Sequence, residues 1–74
     1  MGSRPMIIAK YYRNDLVNGE PTVYIDYAIL PSTGDLHALA VEFAAYRPTA
    51  VAYKLFEGDN FRSLQEISLA HSLV

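Results

Sequence analysis

A chain of 74 residues has room for one domain with a thin core, because chains near this length bury only about 60% of the surface they expose when unfolded. Half of the residues are hydrophobic and 19% are charged, which excludes a disordered, polar composition. Eight acids and six bases are scattered along the chain and leave a net charge of −2, so no basic nucleic-acid patch and no acidic tail stands out. Cysteine is absent. Small secreted domains usually lean on disulfides, so a reducing, cytoplasmic setting is expected, and zinc bound by thiolates is excluded.

Residues 1–5, Met-Gly-Ser-Arg-Pro, read as an expression remnant, which leaves a single domain over residues 6–74. Residues 6–13, MIIAKYYR, are rich in β-branched and aromatic side chains and predict a strand. The apolar run at its start is far too short to cross a membrane. The next segment, NDLVNGEP, holds an Asn-Gly pair and a proline, and its length predicts a loose hairpin loop. Residues 22–30, TVYIDYAIL, alternate cleanly. Val23, Ile25, Tyr27 and Ile29 are expected to face the core, and Tyr24 and Asp26 to face away from it.

LPSTG, Leu30 to Gly34, matches the signal at which sortases anchor proteins to bacterial cell walls. Anchoring also needs a following span of roughly 20 apolar residues. Asp35, His37, Glu42 and Arg47 interrupt that stretch, so it reads instead as a strand end and a helix start. Pro31 stops the strand, Ser32 is the expected N-cap, and Asp35 completes an acidic variant of the capping box.

Residues 33–46, TGDLHALAVEFAAY, predict a helix with Leu36, Leu39, Ala40 and Phe43 on one stripe. Its opposite side is unusually poor in charge. Ala38, Val41 and Ala45 lie there, and a surface helix normally shows polar residues on that side. They are the expected dimer interface. Arg47 and Pro48 end the helix, and residues 49–57, TAVAYKLFE, predict a third strand with Val51, Tyr53 and Leu55 inward. In the last segment, Phe61, Leu64, Ile67 and Ala70 recur at helix-like spacing behind a second capping box, Ser63 and Glu66. A helix is favoured there, with a strand as the alternative.

The order β-β-α-β, followed by α or β, gives a two-layer α+β domain. One face of its small, antiparallel-containing sheet is covered by a helix. Core residues are expected at Ile7, Ala9 and Tyr11 of the first strand and at the four odd positions of the second. Leu36, Leu39 and Phe43 would join them from the helix, and Val51, Tyr53 and Leu55 from the third strand.

Nothing in the sequence specifies catalysis. His37 and His71 are far apart and sit in no metal-binding spacing, so each reads as a surface or helix-end residue. The serines lack a glycine-flanked nucleophile pattern, and no glycine-rich loop opens a helix. No catalytic, cofactor-binding or metal-binding residue is assigned. A non-enzymatic protein-binding module is expected, with Tyr12, Tyr24, Lys54 and Phe56 as its contact face on the shared outward parity of their strands. By analogy of size and class, such a module would act by occluding a larger protein, as small viral inhibitors and prophage accessory proteins do. Single-stranded nucleic acid is the alternative ligand for aromatics with lysines on an open sheet, although Asp26 on that face and the acidic chain oppose it. A structural homo-oligomer or a small enzyme is a further alternative.

Overall fold

The computed structural model describes residues 5–74. Of the expected expression remnant at residues 1–5, residues 1–4 lie outside the described residues. Strand β1 spans Met6–Val17, β2 Glu20–Leu30, helix α1 Leu36–Ala44 and β3 Ala50–Gly58. Two short strands close the chain, β4 at Gln65–Glu66 and β5 at His71–Ser72. The sheet runs β2-β1-β3-β4, with β5 also on β3, and every pairing is antiparallel. This is the expected α+β domain. The helix lies on one face of the sheet and connects two strands that flank β1.

The β1–β2 connection is tighter than expected. Asn18 and Gly19 alone form the turn, both at positive φ, 52° and 81°. That pairing of angles marks a type I′ turn, whose twist matches the flanking strands and which Asn-Gly favours. The strands therefore run out to Val17 and Glu20, and a two-stranded ribbon extends past the point where β3 stops pairing at Arg13. The domain is elongated as a result, 51 × 24 × 19 Å.

The turn fixes the register, and the register overturns the expected facing of β2. Residues directly opposite in an antiparallel pair share a face. Ile7 pairs with Leu30, Ala9 with Ala28 and Tyr11 with Asp26. The even positions of β2 thus lie under the helix with Ile7, Ala9 and Tyr11. Val23, Ile25, Tyr27 and Ile29, expected in the core, are exposed on the other face. The buried cluster is Ile7, Ala9, Tyr11, Leu30, Ala40, Ala50, Tyr53 and Leu55, with Leu36, Leu39 and Phe43 packed against it from α1. Val51 is half-buried and outside that cluster, because the β1–β3 register shifts between Tyr12 and Arg13 and leaves it as the unmatched residue.

The helix begins later than expected. Gly34 has φ 84°, a left-handed conformation that cannot belong to an α-helix. Asp35, rather than Ser32, is the N-cap, and its Oδ1 accepts from the N–H groups of His37 and Ala38 at 3.1 and 3.2 Å. LPSTG is the loop before that cap. At the other end the chain winds out through tighter bonds, Ala45 N–H to Glu42 C=O and Tyr46 N–H to Phe43 C=O, both 3.2 Å. Arg47 then turns back. Its Nη1 donates to Phe43 C=O at 3.3 Å, and its guanidinium lies over the Tyr11 ring at 4.9 Å.

The final segment is not helical. Ser63 bonds back to Asn60 in a turn, and β4 and β5 each add two residues along β3. Ile67 N–H donates to Leu55 C=O at 2.9 Å and Leu73 N–H to Val51 C=O at 2.8 Å. These bonds satisfy the outer side of β3, which a helix could not do with its own backbone groups already paired. Among the described residues no helix is long and apolar enough to cross a membrane.

Candidate binding face

The face of the sheet away from α1 can be laid out from the register alone. Ile29, Ile8, Phe56 and Glu66 form one row across β2, β1, β3 and β4. Tyr27, Lys10 and Lys54 form the next, followed by Ile25, Tyr12, Ala52 and Ser72. Val23 beside Asn14, and Pro21 beside Leu16, continue the surface onto the ribbon. The β2 members are well exposed: Val23 63%, Ile25 43%, Tyr27 54% and Ile29 62%. Ile8, between Ile29 and Phe56, is completely buried by its neighbours although no helix covers it.

Two lysines sit in the middle row. Lys54 Nζ is 2.8 Å from Glu66 Oε1, and this hydrogen bond and the carboxylate's charge raise its pKa. Lys10 has no ion-pair partner among the described residues. Its Nζ rests over the rings of Tyr12 and Phe56, 5.3 and 5.9 Å from their centroids, so it is held by aromatic faces.

Of the expected contact residues, Tyr12, Lys54 and Phe56 come together on this face. Tyr24 does not join them. It pairs with Arg13 and therefore lies on the opposite side, 44% exposed, where β2 extends toward the ribbon. Asp26 is likewise on the helix side. Its Oδ2 is 2.9 Å from Arg13 Nη1 and 3.6 Å from Arg47 Nε, the latter an ion-pair distance too long for a hydrogen bond. Arg13 also reaches Asp15 at 3.1 Å and Thr49 at 3.0 Å, so the network ties β1 and β2 to the loop before β3. With Asp26 gone, the open face is more apolar than the sequence suggested. Alternation alone missed Val23, Ile25, Tyr27 and Ile29. The Asn-Gly pair could have found them, because counting outward from a two-residue turn pairs Tyr27 with Lys10 rather than with Tyr11.

The outer side of α1 is also exposed. Ala38, Val41 and Ala45 all meet solvent there, Val41 at 54%.

The two histidines, remote in sequence, meet in space. His37 stands in the first turn of α1 and His71 on β5, with ring centroids 4.5 Å apart and edge to face. His37 Nδ1 is 2.8 Å from the Tyr53 hydroxyl, and the Tyr53 ring stacks on His71 at 5.4 Å. Burial raises the Tyr53 pKa, and the Asp35 charge adds to that shift. This cluster pins β5 and α1 to the centre of β3. Among the described residues no three His, Cys, Asp or Glu side chains converge as a metal site. An open, polar depression of about 320 Å³ lies at the other end of β3, lined by Glu57, Gly58, Asp59, Ser63 and Gln65 with Pro5. No family model matches the chain, and neither a curated protein nor a solved structure matches it.

Proposed function

We propose that this protein works by binding another protein through the open face of its sheet. The observation that carries this reading is the outward set on β2, Val23, Ile25, Tyr27 and Ile29, about half exposed and contiguous with Tyr12 and Phe56. Covering the exposed half of such side chains is worth about 1 kcal/mol each, on the order of 4 kcal/mol in all. Domains have only about 5–15 kcal/mol of total stability, so leaving that burial unused has a physical cost that a partner would recover. The partner surface that fits is apolar, with a carboxylate to meet Lys10. An accessory or inhibitory action, in which the chain occludes part of a larger protein, follows from that mode of contact. A homodimer through Ala38, Val41 and Ala45 would use a different surface and is compatible with it.

A second reading gains from the departure of Asp26. Tyr12, Tyr27 and Phe56 beside Lys10 could stack single-stranded nucleic acid. The pairing of Lys54 with Glu66 and the net charge of −2 oppose it.

The test is capture from lysate, with and without nuclease, using the unaltered chain, Ile29→Lys and Val41→Glu. Ile29→Lys is expected to leave stability within about 0.5 kcal/mol, since it changes an exposed side chain. It should weaken partner binding by about 2 kcal/mol, roughly 30-fold. Val41→Glu should retain the partner. A partner held equally well by Ile29→Lys would remove the sheet-face reading. Bound oligonucleotide released by nuclease would transfer the face to the second one.

A further inference from the structure

Strand β2 is the last in the sheet order, and among the described residues no strand pairs with its outer side. Which backbone groups lie there follows from the turn. A two-residue hairpin turn closes on a hydrogen-bonded pair, here Val17 and Glu20, and bonded and non-bonded pairs then alternate along the ladder. Even residues of β2 therefore bond β1. The N–H and C=O groups of Val23, Ile25, Tyr27 and Ile29 point away from it. Two observed bonds obey this parity. Asn14 N–H donates to Thr49 C=O on the far side of β1, at 3.0 Å, and Arg47 Nη2 reaches Tyr27 C=O from outside the ladder, at 3.4 Å.

The two edges of the sheet are treated differently. Beyond β3, the short strands β4 and β5 cover the edge in two-residue pieces. Along β2 there is no lysine and no bulge, and from Thr22 to Leu30 there is no proline and one charged residue, Asp26, so few of the usual devices guard this edge. Pro21, the second residue of β2, and Pro31, just past its end, bracket residues 22–30, and the midpoint between them is Asp26.

We propose that two copies of this chain pair edge to edge through β2, antiparallel about a two-fold axis beside Asp26, and form one continuous sheet. The strand is self-complementary in this register. Val23 comes opposite Ile29 of the second copy and Ile25 opposite Tyr27, so every open-face pair is apolar on apolar. Pro21 of each copy meets Pro31 of the other, so pairing stops where the donors stop. Parity is preserved across the junction, and the two open faces fuse into one apolar surface. On the helix side Tyr24 meets Ala28. The two Asp26 carboxylates face each other, but each is already held by Arg13 and Arg47. Tyr27 C=O has two lone pairs and accepts from Arg47 and the second copy together. The dimer does not depend on the partner-binding reading, because the edge pairs whether or not the face is covered.

The test combines sedimentation of the full chain over a range of concentrations with residue-resolved amide exchange. The expected result is a concentration-dependent dimer in which the amides of Val23, Ile25, Tyr27 and Ile29 exchange slowly, becoming fast on dilution. Those of Tyr24, Asp26 and Ala28, bonded to β1, should stay slow throughout. Ile25→Pro deletes an outward donor and leaves the inward ladder intact, so it should raise the dimer dissociation constant about tenfold or more. A chain that stays monomeric at the highest concentration overturns the proposal. So does a dimer whose outward amides stay fast, or one that survives Ile25→Pro and falls apart on Val41→Glu. If Ile25→Pro does not fold, amide exchange in the unaltered chain decides by itself.

Discussion

Replacing Tyr11 with alanine is expected to lower stability by about 3–5 kcal/mol, read as a fall in the urea midpoint, and to leave little folded protein near 37 °C. Tyr11 is completely buried on the central strand. Its ring packs against Tyr53 at 6.3 Å and carries the Arg47 guanidinium, while its hydroxyl donates to the Ala40 carbonyl of α1. One side chain thus joins strand, helix and post-helix loop. Tyr11→Phe keeps the ring and loses the donor, so about 1–2 kcal/mol is expected. The hydroxyl also makes stability depend on pH. Burial pushes the Tyr11 pKa above the ordinary 10.0, with Arg47 acting the other way and Tyr53 adding to the rise. Between 10 and the folded pKa the unfolded chain has released this proton and the folded chain holds it. The unfolded state then binds fewer protons, and stability falls as pH rises. The contribution is complete below pH 10. Tyr53 and Lys54, also raised, act in the same direction, so Tyr11→Phe should blunt the alkaline loss without abolishing it.

Gly58→Ala is the second large effect. A Cβ at this position would stand 2.5 Å from the Ser63 carbonyl oxygen and 2.8 Å from its carbon, and both are backbone atoms that no rotamer change can move. The turn over residues 59–64 must shift as a whole. It carries β4 and with it the Lys54–Glu66 pair. Overpacking of this kind costs about 1–3 kcal/mol, and a domain of this size loses about 4–8 °C in Tm for each kcal/mol. Calorimetry would show the loss. An unchanged Tm would mean that the 58–63 approach is not close in solution.

The first three strands and the helix were legible in the sequence to within a few residues at each end, because periodicity and prolines mark them. The facing of β2 was not. Alternation says that Val23, Ile25, Tyr27 and Ile29 share a side, and it is silent about which side the hairpin turns inward. The expectation put the more apolar set inside, whereas the structure buries only Leu30 fully on the other parity and leaves Asp26 in an arginine network there. Tyr24 left the expected contact face for the same reason, while Tyr12, Lys54 and Phe56, on strands whose facing was read correctly, stayed together. The last segment misled because helical spacing over a few residues is weak beside the need of β3 for partners on its outer side. The meeting of His37 with His71 left no local trace, since it depends on where β5 docks.

The Asn18-Gly19 turn therefore sets the chain's folding landscape as well as its shape. The apolar pattern of β2 by itself favours the opposite facing, and a slip of one residue would supply it, carrying Val23, Ile25, Tyr27 and Ile29 beneath the helix and Asp26 into water. Local turn chemistry and global hydrophobic pattern are thus in conflict along one strand, a case of frustration that few small domains tolerate. A hairpin slipped in this way would be the competing register for this chain. Hairpins close on the microsecond scale, and closure of the Asn18-Gly19 turn would compete with that slip.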